Sequence, residues 1–220
     1  MRRAAGVLRD LAAFLAGRAI ALVMRLFAAP RTVWVQGGPL ARQRIYFANH
    51  TSNADLPLIW TVLPPDLRVR TRPVAAADYW LKGPVRAFFG RDVFGAVLVE
   101  RRPEARGEGE DPMATIRAAL DRGDSLIIFP EGRRNETVKK LLPLKAGLFN
   151  MALSHPEVEL VPVWIENLNK MMPRGEVVPI PLISTIAFGR PMQRAEGEGK
   201  DDFLARAREA LLALRERATS

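Results

Sequence analysis

The 220-residue chain contains no cysteine. That excludes disulfides, thiolate zinc sites and cysteine nucleophiles together, and it fits a reducing compartment. Histidine is nearly as scarce, with only His50 and His155 present. No His/Cys/Asp cluster has metal-ligand spacing, so no metal is expected. Aromatic residues make up 7% and do not interleave with basic ones, so nucleic acid is not an expected partner. There is no G-x-S-x-G elbow, P-loop or dinucleotide fingerprint, and the GEGED run has linker composition. No window reaches the roughly 18 uninterrupted apolar residues of a spanning helix.

Acidic residues are outnumbered 33 to 24 by basic ones, giving a net charge of +9 and a pI near 10.7. Such a surface prefers polyanions: nucleic acid, anionic lipid head groups or phosphorylated substrates. At 48% hydrophobic residues, the chain can bury the core of one domain.

Residues 1–29 read as one amphipathic helix. Leu8, Leu11, Leu15, Leu22 and Leu26 share a face at about 100° per residue. Arg2, Arg3, Arg9 and Asp10 lie opposite, and Arg18 and Arg25 flank the leucines. The arginines fall inside what would be the apolar core of a signal peptide, so that reading is not expected. Two readings stand: a helix lying in a membrane interface with arginines reaching lipid phosphates, or one packing its leucines on its own domain.

Beyond it, strands alternate with helices. Residues 32–36 form a short strand, Gly37-Gly38-Pro39 turns the chain, and 44–48 runs back as a second. Further strands are expected at 69–76 (weakened by Pro73), 95–101, 125–129, 158–165 and 182–188. Helices are expected after Asp55 to Leu63, at 112–122, 147–154 and 203–217, with a turn-rich segment at 79–89. Residues 102–112 and 194–202 read as hydrophilic linkers and 167–181 as a long irregular loop. This order predicts an α/β domain with a central mixed, largely parallel sheet flanked by helices.

The polar clusters follow strand ends. His50 and Asp55 follow the first buried strand, Glu100 and Arg101 another, and Glu131, Arg133 and Arg134 a third. In open α/β sheets that edge binds ligands. Alone, His-x4-Asp would read as a packed loop histidine with a helix-capping aspartate. The clustering gives it weight. A carboxylate on one ring nitrogen fixes the tautomer, so the other can deprotonate a substrate hydroxyl for attack on an activated carbonyl. The arginines suit a phosphate or carboxylate, although surface ion pairs with Glu100, Glu131 and Glu136 are the plainer explanation of any one of them. Gly132 permits close backbone approach, and its N–H is a candidate oxyanion donor.

These blocks resemble the glycerophospholipid acyltransferase family, of the lysophosphatidate (1-acylglycerol-3-phosphate) acyltransferase type. NHTSNAD matches its N-H-x4-D block. GAVLVER resembles G-x-x-F-x-x-R, with Leu98 in the phenylalanine's place. FPEGRRN resembles F-P-E-G-T-R, LPLKAG resembles F-K-x-G, and VPVWI resembles V-P-V. The order matches across residues 33–189. The resemblance implies an acyltransferase domain over 30–220 that moves a fatty acyl group from acyl-CoA or acyl-carrier protein to a lysophospholipid hydroxyl. It implies His50 as general base and Asp55 as its orienting partner. Arg101 and Arg134 would bind the acceptor phosphate, Glu131 and Gly132 would shape the site, and Lys145 is a further phosphate candidate. Val161-Pro162-Val163 would line the acyl or donor region. No cofactor is expected beyond the thioester co-substrate. The expected location is the cytoplasmic face of a membrane, peripheral or monotopic, with membrane lipids as partners.

Two departures bear on the acceptor. Arg133 stands where the family usually has threonine, and Val74-Ala-Ala-Ala-Asp78 has alanine where many members carry lysine. One cation is gained and one is missing. Acylation of a different lysolipid and a non-catalytic lipid-binding module on the same fold are the alternatives.

Overall fold

The computed structural model describes residues 2–36, 38–100, 111–167 and 183–219. Strands β1 (Arg31–Trp34), β2 (Arg44–Ala48), β3 (Thr71–Ala76), β4 (Val97–Val99), β5 (Ser125–Ile128), β6 (Glu159–Glu166) and β7 (Thr185–Phe188) form one sheet. Its order is β1-β7-β6-β2-β5-β3-β4. Strands β2 to β6 run parallel, while β7 is antiparallel to β6 and carries β1 parallel to itself. The sheet is therefore mixed and largely parallel, with β2 at its centre.

β2 and β5 are buried along their whole length, as strands covered on both faces must be. Ile45 and Phe47 of β2 join an apolar cluster with α6 (Pro112–Asp121), α7 (Gly147–Ser154) and α8 (Lys200–Thr219). Tyr46 and Ala48 point to the other face, covered by α1 (Arg2–Ala28) and α2 (Asp55–Val62). Three short helices, α3 (Pro65–Val69), α4 (Ala77–Trp80) and α5 (Pro84–Phe88), and a π-helical turn at Phe89–Val93 fill the remaining connections.

Several expectations need correction. β1 runs opposite to β2, but β7 and β6 lie between them, so the Gly-rich turn does not close a hairpin. β1 instead pairs with β7, a long-range partner that local turn chemistry does not reveal. Residues 65–69, partly assigned to a strand, form α3, because Pro65 occupies its first turn, where no N–H is needed. Val161, Pro162 and Val163 lie inside β6, paired with β2 and β7, and are buried in the sheet. His155, in the loop just after α7, is buried, with Nε2 3.1 Å from Asp121 of α6. The expected loops 102–112 and 167–181 fall almost entirely outside the described residues.

The leucines of α1 face outward. Leu8, Leu11, Leu15, Leu22 and Leu26 are 52–67% exposed, whereas Ala13, Ala21, Met24 and Ala28 are buried. A Cβ on Gly17 would stand 3.1 Å from the Trp60 ring of α2. The small-residue side is the packing face, and the leucine side is left uncovered. By length and composition, residues Ala5–Ala28 are apolar enough to cross a bilayer, an 18-residue window within them reaching a mean hydropathy of 1.8. The lack of an uninterrupted run therefore does not exclude a spanning length.

Candidate active site

The parallel direction of β2, β5, β3 and β4 brings their C-terminal ends to one rim. His50 leaves β2 there, and Asp55 opens α2 five residues later. Ala54, not Asp55, is the N-cap residue, and it makes no side-chain cap. The Asp55 carboxylate folds back instead. Its Oδ2 lies 2.8 Å from His50 Nδ1 and accepts the N–H groups of Thr51 (2.6 Å) and Ser52 (2.8 Å). Asp55 is 0% exposed, and its Oδ1 is buried without a hydrogen bond. With Nδ1 donating to this acceptor, Nε2 keeps its lone pair. The imidazole stacks on Phe129 at 4.2 Å between centroids, which fixes the plane of the ring.

The histidine backbone is clamped as well. Its N–H donates to Glu131 Oε1 (2.8 Å), and its carbonyl accepts the Asn135 N–H (2.7 Å). Asn49 extends the sheet past the end of β2. Its side chain donates to the Ile165 carbonyl and accepts the Ile165 N–H, at 3.0 and 2.8 Å. Asn49 and Asn135 were not singled out from the sequence. Each lies within or beside a motif block, and a buried amide next to a rim histidine was the available signal.

Glu131 sits behind the dyad rather than in contact with substrate space. It is 2% exposed, and its Oε2 accepts the Leu142 N–H at 2.8 Å. Burial pushes its carboxyl above the ordinary range, against the two N–H bonds and the nearby His50. Gly132 has φ +72°, and its N–H donates to the Phe129 carbonyl at 2.9 Å. That N–H is engaged in the turn, which corrects its assignment as an oxyanion donor. The glycine is required by the positive φ, and the Lys145 stem passes 3.3 Å from where a Cβ would stand.

A cavity of about 400 Å³ opens at this rim. His50, Asn53, Gly132, Arg133, Arg134 and Lys145 form its polar side. Arg134 is paired with Glu136 at 2.6 Å. Arg133 and Lys145 have no ion-pair partner among the described residues. The apolar side comes from β3 and α4 (Val74, Ala75, Ala76, Tyr79, Trp80), with Val99, Leu148 and Met151. This wall, not Val161–Val163, faces the cavity. Arg101 lies outside the described residues. The structure thus gathers His50, Asp55, Arg133, Arg134 and Lys145 at one crevice and puts Glu131 behind it. Among the described residues no His/Cys/Asp/Glu cluster could hold a metal ion.

Comparison with known proteins gives the family and the fold. The family model described as Acyltransferase matches residues 33–166. A Dictyostelium discoideum protein named Taffazin is 31% identical over 153 residues, covering 66% of this chain and 52% of its own. A Cocos nucifera 1-acyl-sn-glycerol-3-phosphate acyltransferase is 26% identical over 182 residues, covering 76% of this chain and 54% of its own. The chain thus spans about half the length of these curated relatives. The crystal structure of the 1-acyl-sn-glycerophosphate (LPA) acyltransferase PlsC from Thermotoga maritima superposes with a TM-score of 0.66. It covers 98% of this chain and 97% of that one, at 19% identity, a likeness that establishes the fold.

Proposed function

The chain belongs to the acyltransferase family, and from that premise we propose that it transfers a fatty acyl group from a thioester to a lysophospholipid hydroxyl. The observation that carries this reading is the 2.8 Å His50–Asp55 contact at the mouth of a cavity with cations on one side and apolar side chains on the other. No serine or cysteine nucleophile is needed if the substrate brings its own hydroxyl.

In the proposed reaction, His50 Nε2 removes the acceptor hydroxyl proton as the oxygen attacks the thioester carbonyl. Asp55 supports the imidazolium that forms. The tetrahedral intermediate collapses with loss of the thiolate, which receives the proton back from His50. Arg133 and Lys145 provide positive potential for the acceptor phosphate and the developing oxyanion. The wall from Val74 to Trp80 accepts the acyl chain. The donor is acyl-CoA or acyl-carrier protein, and the acceptor we favour is 1-acylglycerol-3-phosphate. A different lysolipid is the second reading. It is favoured by the uncharged cavity wall at Val74, Ala75 and Ala76 and by the displacement of charge onto Arg133.

The exposed leucine face of α1 and the net +9 charge support action at a membrane surface. α1 packs on α2 and the π-helical turn, with Ala13, Ala21, Met24 and Ala28 buried. A spanning orientation would drag those elements into lipid, so an in-plane position is the better fit.

The test is thiol release from acyl-CoA and acyl-carrier protein across a panel of lysolipid acceptors. His50→Ala is expected to lower turnover by about 10²–10⁴-fold with the fold intact by circular dichroism. Near-normal turnover in that variant refutes the mechanism. The preferred acceptor in the panel separates the two readings.

A further inference from the structure

Arg68 of α3 is locked in place. Its Nη2 donates to the Thr61 and Leu63 carbonyls at the end of α2, at 2.7 and 2.9 Å. Its guanidinium carbon stands 4.7 Å from the Trp60 ring centroid. Its Nε is buried without a hydrogen-bond partner. The Trp60 ring is also the surface on which Gly17 of α1 rests. Arg18 is the next residue along α1, and Arg25 lies two turns on, on the same side. Both are exposed, with no ion-pair partner among the described residues.

Trp60 thus carries Arg68 over its ring and meets α1 at Gly17, the neighbour of Arg18. Burial, then the positive charges of Arg25 and Arg18, hold the Arg68 guanidinium below the ordinary arginine range, and no carboxylate among the described residues acts against them. Capping α2 explains the two bonds of Nη2. It does not explain why two more arginines face the same place, since like charges there repel. Arg68 is held by two carbonyls and a ring, so it cannot swing away. An anion relieves the repulsion.

We propose that Arg18, Arg25 and Arg68 form a seat for the phosphate of an anionic membrane phospholipid, apart from the catalytic cavity. The lipid source follows from the surroundings. Phe14, Leu15 and Leu22 flank the two α1 arginines and are 57–61% exposed, so the charges sit where a head group meets acyl chains. The seat rests on the reading of α1 as an interfacial helix.

The test uses the full chain and sedimentation with phosphatidylcholine vesicles, with and without phosphatidylglycerol. Arg18→Gln/Arg25→Gln is expected to lose about fivefold in anionic-vesicle partitioning for each charge removed. Its binding to pure phosphatidylcholine should be unchanged. Arg31→Gln/Arg190→Gln removes two exposed charges elsewhere and should lose far less. Equal losses in the two double variants, or no loss in the first, overturn the seat. Leu11→Gln/Leu22→Gln probes the helix separately. If it leaves neutral-vesicle binding intact, the interfacial reading of α1 falls and the assignment of the seat to a lipid falls with it. If it weakens neutral-vesicle binding while the arginine pair has no effect on anionic vesicles, the interfacial helix stands and the seat alone is overturned.

Discussion

Glu131 holds two backbone N–H groups at once, from His50 in one loop and Leu142 in another. Glutamate offers two acceptor oxygens, protonated or not, whereas a glutamine offers one. Glu131→Gln therefore leaves one buried N–H unpaired, a cost of about 1–3 kcal/mol. The loss also depends on pH. Burial raises the Glu131 carboxyl in the folded chain, so the folded state keeps this proton to higher pH than the unfolded state does. Wild-type stability then falls as pH rises from the ordinary carboxylate range to the raised value, and levels off above it. The glutamine variant has no such titration. The wild-type advantage should shrink with rising pH across that window and then stay constant, read from urea unfolding of both proteins at a series of pH values. An advantage that grows across the window contradicts the raised direction.

At the scale of elements, α2 joins two tasks. Its first residue, Asp55, orients the histidine, and Trp60, about 8 Å along the axis, receives α1 at Gly17. A bulky side chain at position 17 must displace that ring. Gly17→Leu is expected to destabilise by about 1–3 kcal/mol and to lower the thermal midpoint by several degrees, measured by calorimetry. An unchanged midpoint would mean that α1 is not seated on Trp60. These elements also show what was legible in the sequence. The strand-end placement of His50, Glu131 and Arg134 could be read because buried parallel strands are short apolar runs with clear ends. The pairing of β1 with β7 could not, since it joins residues about 150 apart and leaves no local pattern. The face of α1 was ambiguous for another reason. A leucine stripe suits lipid and protein equally well, and the alanine and glycine side that does the packing carries little hydrophobic signal. In the sequence Val74, Ala75 and Ala76 read as a strand that lacks the family's lysine, a sign of missing charge near the acceptor, and nothing local marks them as an apolar cavity wall. Pro162, by contrast, drew attention by its motif yet lies in the sheet.

Over the whole molecule, α1 is at once core and surface. Its inner side buries Met24 and Ala28 in the cluster with Trp60, Phe94 and Leu56, while its outer side leaves the leucines bare. Removing it therefore does more than remove a membrane contact. It uncovers the apolar face of α2 and strips Asp55's helix of its support. A chain lacking residues 1–28 is expected to melt well below the intact protein and to aggregate, since each buried aliphatic side chain of this kind contributes about 1.5–3 kcal/mol. Leu11→Gln/Leu22→Gln changes only side chains that are 52% and 58% exposed, so it should melt near the wild type. Thermal unfolding followed with light scattering compares the three proteins. A truncated chain as stable and monodisperse as the intact one would show that α1 is an appendage, and that α2 needs no helix packed against it to hold its place on the sheet.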